Sequence, residues 1–240
     1  MIAVTFDYGQ TLAELDMEYL ARRVAERGSV VGAAALDAAA PAAWEEYNRA
    51  KARGDVAEQA WSAFMRALLE GAGLPRGERT DASVTSDIVR FLWSEQPRNN
   101  LWRKPIAGMK ELLAELRDSG TPLGVLSNSE GRLAELLEEL DWARYFGVVA
   151  DSGVLGFEKP DRRIFEWTAE RLGVKTTDLI HVGDAWAADI EGALAVGAKA
   201  IWITREGDLS RTRPSEDGHV VACETAEQIR STLRAWDVPA

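Results

Sequence analysis

The sequence predicts an α/β protein with a Rossmann-like, doubly wound parallel sheet as its core and an all-helical insert. Beyond Pro105, short apolar runs alternate with amphipathic segments, which is typical of a parallel sheet covered by helices. Between Leu15 and about Trp102 the periodicity is helical alone, with Ala, Glu, Arg and Leu abundant. The predicted domains are a core of residues 1–13 and 104–240 and a helical insert of residues 14–103.

The individual elements follow from apolar runs and stop signals. The apolar run of residues 1–6 predicts the first core strand. The predicted helices of the insert are "PAAWEEYNRAKARG", "EQAWSAFMRALLEGAGLP" and "DASVTSDIVRFLWSEQP", the last ended by Pro97, while "GAAALDAAAPAA" is either helix or linker. The later core strands are "TPLGVLSNS", "GVVAD", "DLIHVGD" and "KAIWI", and the core helices are "IAGMKELLAELRDSG", "EGRLAELLEELDW", "DRRIFEWTAERLGV", "AADIEGALAVGA" and about 226–236.

The composition is that of a globular protein without nucleic-acid or membrane partners. Of the 240 residues, 46% are hydrophobic and 28% are charged, a balance that can build a full core. The net charge of -11 disfavours binding to nucleic acid or to anionic membranes, because both need clustered Lys and Arg. No run reaches the roughly 18 apolar residues of a membrane-spanning helix. The single cysteine, Cys223, excludes an intramolecular disulfide, and we expect a cytoplasmic protein.

Polar residues at the predicted strand ends indicate a site. In doubly wound sheets, ligands bind outside the carboxyl ends of the strands, where this sequence has Asp7, Ser127, Lys159, Asp184 and Asp189. Carboxylates that share a site repel one another unless a cation compensates, and oxygen ligands without His or Cys suit Mg²⁺. Lys159 and Ser127 suit a phosphate group. Asp7, beside Mg²⁺ and a phosphoryl group, is then a candidate nucleophile for phosphoryl transfer.

Four sequence motifs resemble those of a known family. "FDYGQTL", "LSNS", "EKPDRRIF" and "VGDAWAAD" resemble, in this order, the four motifs of the haloacid dehalogenase superfamily. Pro105 to Gly108 resembles the "P-x-x-G" entry of that family, and the helical insert resembles its C1-type cap domain. The resemblance covers almost the whole chain. It implies a Mg²⁺-dependent hydrolase, most often a phosphatase of small phosphorylated metabolites.

The resemblance also implies roles for individual residues. Asp7 would form an aspartyl intermediate, and Ser127 and Lys159 would hold the transferring group and stabilise its charge. The implied Mg²⁺ ligands are Asp7, the backbone carbonyl of Gly9 and Asp184, with Asp189 in support. The residues expected to bind substrate are Thr11, which also orders the first loop, Ser127, Asn128, Lys159 and Trp186. Trp186 is included because it closely follows Asp184 and aromatic residues commonly line pockets at domain interfaces.

The first motif departs from the family pattern. Family phosphatases carry a second aspartate two residues after the nucleophile, where this chain has Gly9 followed by Gln10. That aspartate protonates the leaving group and later activates water, and such a general acid–base contributes about 10² to 10⁴ in rate. Three interpretations stay open: a slow or specialised phosphatase, an aspartyl chemistry on another bond as in dehalogenases and phosphonatases, or a catalytically impaired binding or regulatory protein.

Structural interpretations of the same residues also remain. Asp7 could cap a helix or a turn after the first strand, and Ser127 could be the N-cap of the helix starting near Glu130. Asp184 and Asp189 could favour a helix N-terminus through its dipole. His181 lies inside a buried strand and is expected to be a core or supporting residue rather than a catalyst.

Overall fold

The computed structural model describes residues 1–55, 57–75, 84–204 and 218–239. The chain forms two compact units. The core unit comprises Met1–Glu14 and Trp102–Ala240, and the helical unit comprises Leu15–Leu101. No helix within the described ranges is long and apolar enough to cross a membrane.

The described strands form a parallel sheet and a separate strand pair. In chain order they are β1 (Ala3–Phe6), β2 (Ala13–Leu15), β3 (Trp102–Pro105), β4 (Leu123–Ser127), β5 (Val148–Asp151), β6 (Leu179–Gly183), β7 (Lys199–Ile203) and β8 (Val220–Cys223). Among the described residues, six strands join in the order β5-β4-β1-β6-β7-β8, and β2 pairs with β3. All pairings within the larger sheet are parallel. The prediction of a doubly wound α/β core is confirmed.

The described helices cover both faces of this sheet or build the helical unit. They are α1 (Met17–Ala25), α2 (Ala33–Ala52), α3 (Ala57–Gly71), α4 (Val84–Glu95), α5 (Met109–Asp118), α6 (Leu133–Glu139), α7 (Ser152–Leu155), α8 (Arg162–Leu172), α9 (Glu191–Ala195) and α10 (Ala226–Ala235). Side chains alternate along a strand, so the sheet buries a hydrophobic cluster on each face. On one face Val4 and Phe6 pack with Leu112 of α5, and on the other Leu126 packs with Phe165 of α8.

The helical unit is built from α1 to α4. The first of these helices begins at an aspartate cap, because the side chain of Asp16 accepts the backbone N–H of Tyr19 at 2.8 Å. Aromatic pairs join the helices: the rings of Trp44 and Phe64 lie 4.3 Å apart and those of Trp61 and Trp93 lie 5.2 Å apart. The insert is therefore held together mainly by apolar packing, as its helical periodicity predicts.

Several elements differ from the prediction. The strands β2, β3 and β8 were not predicted, because runs of three or four residues leave too short a pattern to read. The segment "GAAALDAAAPAA" is helix rather than linker, since α2 continues through Pro41. In "AADIEGALAVGA", a π-helix at Trp186–Ile190 precedes the short α9. The "DAS" that opens the last predicted helix of the insert lies at residues 81–83, outside the described residues.

Candidate active site at the carboxyl edge of the sheet

Adjacent strands bring the predicted polar residues to one edge of the sheet. Asp7 follows β1, Ser127 ends β4 and Asp184 follows β6, and β1 lies between the other two strands. The backbone N–H of Asp7 donates to Val182 O of β6 at 2.8 Å, which fixes the start of the first loop. Asp7 and Ser127 are only 9% and 5% exposed. The strand order therefore explains how residues far apart in sequence reach one site.

Lys159 lies at the centre of this edge and is buried. Its Nζ lies 2.6 Å from Asp7 Oδ1, 2.7 Å from Asp189 Oδ1 and 2.8 Å from Leu126 O. These contacts account for the three N–H donors of an ammonium group. The loop that carries Lys159 is fixed by Asn128, whose Oδ1 accepts the Lys159 N–H at 2.8 Å and whose Nδ2 donates to Lys159 O at 3.0 Å. The lysine is thus positioned by its backbone as well as by its side chain.

Asp189 is the second anionic partner of Lys159, and its carboxylate is fully engaged. Its Oδ1 lies 3.2 Å from His181 Nε2, and its Oδ2 accepts the Ala185 N–H at 2.8 Å. The close approach of Asp189 to the end of β6 requires glycine there, because a Cβ at Gly183 would lie 2.4 Å from Asp189 Cγ. The other ring nitrogen of His181 lies 2.9 Å from Thr5 Oγ1. His181 therefore contacts Asp189 from its place within the sheet and orients the Asp189 carboxylate.

The charges of this cluster are set by burial and by each other. Burial raises the pKa of the Asp7 carboxyl, more than the adjacent Lys159 ammonium lowers it. Burial acts on Asp189 too, but Lys159 and His181 outweigh it and hold the pKa of that carboxyl well below its usual range. Burial opposes the charge of Lys159, yet Asp189 and Asp7 raise the pKa of the ammonium. Burial lowers the pKa of His181, which is neutral at pH 7.

The carboxylates form a cluster that could hold a metal ion. One oxygen from each of Asp7, Asp184 and Asp189 lies within 4.8 Å of the others. This all-oxygen donor set fits a hard cation such as Mg²⁺. Both oxygens of Asp189 have partners, and the Asp184 side chain is half-buried after the end of β6. All three carboxylates are therefore candidate metal ligands, and Asp189 is at the same time a partner of Lys159.

The remaining predicted site residues have more varied surroundings. Thr11 is buried in the first loop, and its Oγ1 has no hydrogen-bond partner among the described residues. Trp186 turns toward the β7 side, where its indole N–H donates to Glu191 Oε1 at 3.0 Å and its ring lies edge-on to Trp202 at 5.4 Å. These contacts of Trp186 are with α9 and with β7.

Gly9 lies beside the aromatic side chain of Trp102, a contact that no pattern in the sequence predicts. A Cβ added at Gly9 would lie 3.6 Å from Trp102 Cδ1 and 3.8 Å from its Nε1, both ordinary van der Waals distances. The next residue, Gln10, is buried and has a left-handed φ of 58°. Trp102 itself is held in place because its carbonyl accepts the Tyr8 hydroxyl at 2.8 Å.

Two contacts around the site differ in how far the sequence could predict them. Thr5 and His181 are polar residues within apolar strands and lie opposite each other in the β1–β6 register, so their pairing had a signal in the sequence. The contact between Trp102 and Gly9 had none, because the whole helical unit separates them along the chain.

The fold and this edge define a Rossmann-like α/β protein with an acidic, lysine-bearing site at the carboxyl ends of its strands. Residues 3–197 match the sequence model of the haloacid dehalogenase-like hydrolases, and the chain belongs to this family of hydrolases.

Individual relatives are similar over part of their length. Haloacid dehalogenase-like hydrolase domain-containing protein 3 of Mus musculus is 30% identical over 150 residues, which cover 62% of this chain and 57% of that protein. A glyceraldehyde 3-phosphate phosphatase of Methanothermobacter thermautotrophicus is 36% identical over 133 residues, covering 54% of this chain and 59% of the phosphatase. The chain thus matches little more than half the length of either relative.

The fold itself is shared over the full chain with a solved structure. The HAD-hydrolase YfnB of Bacillus subtilis, solved with bound magnesium, aligns with a TM-score of 0.67 at 18% identity. The alignment covers 97% of this chain and 98% of YfnB. At this identity the similarity concerns the fold alone.

Proposed function

We propose that this hydrolase is a cytoplasmic, Mg²⁺-dependent phosphatase that acts on small phosphorylated molecules through an aspartyl-phosphate on Asp7. The observation that carries the proposal is the buried ammonium of Lys159, 2.6 Å from Asp7 Oδ1. A carboxylate attacks a phosphate dianion only if a positive charge offsets their repulsion, and a buried ammonium supplies that charge at the reacting group. The similarity to a glyceraldehyde 3-phosphate phosphatase supports a phosphoric monoester as substrate.

Each residue of the edge has a role in this proposal. A carboxylate oxygen of Asp7 attacks the phosphorus, and the bond to the leaving group breaks. The hydroxyl of Ser127 binds a phosphoryl oxygen, the fixed positive charge of Lys159 offsets the negative charge of the phosphoryl group, and water then hydrolyses the aspartyl-phosphate. Asn128 fixes the Lys159 backbone through its two hydrogen bonds, and Asp189 fixes the ammonium, so the lysine needs no rearrangement during the reaction.

The carboxylates of this edge would also bind Mg²⁺. Asp7 and Asp184, with the Gly9 carbonyl, would hold the ion, and Asp189 would support the site by orienting Lys159. When bound, Mg²⁺ supplies positive charge that screens the carboxylates from each other and from the phosphate.

Two further residues complete the proposed substrate site. The unpartnered hydroxyl of Thr11 would order the first loop or contact the phosphate, because a buried hydroxyl without a partner is unfavourable. Trp186 would contact the organic part of the substrate, because aromatic side chains commonly line such pockets.

Gly9 supports a second candidate, a protein that keeps the binding site but turns over little. In this chain no acid stands two residues after Asp7, so both the departure of the leaving group and the attack of water lose assistance. This candidate predicts that Mg²⁺ and phosphate esters bind without measurable release of phosphate. Dehalogenase-type or phosphonatase-type cleavage is the remaining alternative, and it predicts release of halide or cleavage of a C–P bond.

Phosphate release from a panel of phosphomonoesters, with and without Mg²⁺, tests the proposal. We expect Mg²⁺-dependent release by the native protein and none by Asp7→Asn. The matched control is Asp118→Asn, which removes an exposed carboxylate at the end of α5 and should leave release unchanged. Release that survives Asp7→Asn would contradict the proposed nucleophile. Binding of the esters without release from any of them would favour the second candidate.

A further inference from the structure

The loop after Asp7 offers no group that can protonate a leaving group. From Tyr8 to Ala13 it contains no Asp, Glu, His, Lys or Cys. The Tyr8 hydroxyl donates its hydrogen bond to Trp102 O at 2.8 Å and so is directed at the protein backbone. The next acidic residue, Glu14, forms an ion pair with Lys104 at 2.8 Å, in which both side chains are more than 40% exposed.

The buried groups on the other side of Asp7 are also occupied. His181 is 0% exposed, and its two ring nitrogens lie 2.9 Å from Thr5 Oγ1 and 3.2 Å from Asp189 Oδ1. It therefore has no route to a substrate oxygen. The Lys159 ammonium has three acceptors and serves as a fixed charge at the phosphoryl group. Among the described residues of this loop and around Lys159, no group can thus assist the leaving group, and residue 9 is the position where the related phosphatases carry an acid.

The space beside Gly9 is covered by an apolar ring and not by an acid. The Trp102 indole would be in ordinary contact with a side chain at residue 9, at 3.6 Å from its Cβ. Residue 9 has no left-handed φ, in contrast to Gln10 at 58°, so the backbone does not require glycine there. A larger side chain would therefore fit at residue 9. The backbone and its surroundings do not explain why this position carries no acid.

We propose, on the basis of the phosphatase function above, that the site is specific for phosphate esters whose leaving group departs as a stable anion. Acyl phosphates and aryl phosphates are such substrates, because a carboxyl group has a pKa of about 4 and a phenol of about 10. An alkyl phosphate must expel an alkoxide whose conjugate acid has a pKa near that of water, about 16. Without a proton donor, the site cleaves the first two classes and cleaves alkyl phosphates poorly.

The two half-reactions are balanced without a general acid. In the first, a lone pair of Asp7 forms the bond to phosphorus, the ester P–O bond breaks, and its electron pair leaves with the carboxylate or phenolate. In the second, a water oxygen attacks phosphorus, the bond to Asp7 breaks, and the water proton goes to solvent. The group expelled in the second step is the Asp7 carboxylate, which needs no proton and which Lys159 stabilises at 2.6 Å. The intermediate is thus itself an acyl phosphate, the class of substrate that the site handles best.

The test is a leaving-group series measured with the Mg²⁺-loaded protein. The substrates are acetyl phosphate, phenyl phosphates with electron-withdrawing or electron-donating ring substituents, and ethyl phosphate, each corrected for hydrolysis without protein. We expect kcat/KM of the native protein to fall steeply as the pKa of the leaving group rises across the phenyl series. In Gly9→Asp, an acid becomes available at the leaving group, so kcat/KM for ethyl phosphate should rise by about 10² to 10⁴. The value for acetyl phosphate should change much less.

The control variant is Gly9→Asn, which has the shape of the aspartate but no proton to transfer, and it should not rescue ethyl phosphate. A native kcat/KM that is flat across the phenyl series would overturn the inference, and that measurement does not depend on any variant folding. It would mean that a group outside this loop supplies the proton. If no substrate is cleaved, or if Asp7→Asn cleaves them equally well, the proposed phosphatase function fails and the inference fails with it. Abolition by Asp7→Asn together with a flat series leaves the function standing and removes only the inference.

Discussion

Replacing Lys159 by methionine should destabilise the protein strongly in the absence of Mg²⁺. The ammonium lies 2.6 Å from Asp7 Oδ1 and 2.7 Å from Asp189 Oδ1, and the side chains of Lys159 and Asp189 are 2% and 1% exposed. Water cannot replace the lost charge at such depth. Removing one partner of a buried ion pair costs about 3–5 kcal/mol, and that is the expected loss in the free energy of unfolding near neutral pH.

Urea unfolding of the native protein and the variant measures this loss. The matched control is Lys104→Met, which removes a lysine whose side chain is 60% exposed in its ion pair with Glu14. Exposed pairs contribute at most about 1 kcal/mol, so this control should change the free energy of unfolding little. Equal losses in the two variants would show that Lys159 does not offset buried negative charge.

The loss in the Lys159 variant should also depend on pH. In the native protein the lowered pKa of Asp189 gives stability that is present above the unfolded pKa of about 3.9 and is lost as pH falls through the folded pKa. Without the ammonium, burial raises the pKa values of Asp7 and Asp189, so both carboxyls take up protons more readily. The difference in stability between native protein and variant should therefore shrink as the pH falls from neutral toward the unfolded pKa of about 3.9. A constant difference over this range would contradict the account.

Two further predictions concern the same edge of the sheet. Gly183→Ala should lower the free energy of unfolding by about 3 kcal/mol, because its Cβ would lie 2.4 Å from Asp189 Cγ, whereas Gly9→Ala should change it by less than about 1 kcal/mol. Similar urea midpoints for the two variants would show that the close approach at Gly183 is unimportant. Mg²⁺ at about 100 times its Kd should stabilise the native protein by about 2.7 kcal/mol against urea, and Asp184→Asn should lose most of that gain. The control Asp118→Asn should keep the full gain, and equal gains in both variants would exclude Asp184 as a ligand.

The fold could be predicted from the sequence wherever an element is long enough to show its period. The core helices and the five buried strands that end near the site each carry apolar runs, and the structure contains all of them. The pair β2 and β3 and the edge strand β8 have only three or four residues, and β3 reads "WRKP", which no strand pattern predicts. The sequence predicts an ordinary helix where the structure has a π-helix at Trp186–Ile190, because residue spacing over five residues does not distinguish the two.

The position of the candidate site in the fold could be predicted from the sequence, but the contacts between its residues could not. The rule that ligands bind at carboxyl strand ends identified Asp7, Lys159 and Asp184, since it needs only strand positions. The engagement of both Asp189 oxygens depends on a 2.8 Å approach to Ala185 N and on the lysine, distances that no spacing encodes. The contact between Trp102 and residue 9 could not be predicted either, because the two residues are far apart in sequence and meet only in the folded chain.

Mass spectrometry of the protein, quenched in acid during turnover of acetyl phosphate with Mg²⁺, shows directly whether Asp7 is the nucleophile. We expect one phosphoryl group on the peptide that contains Asp7, lost when the substrate is exhausted and absent from Asp7→Asn. Turnover with no phosphorylated peptide, or with the phosphoryl group on a residue other than Asp7, would contradict it.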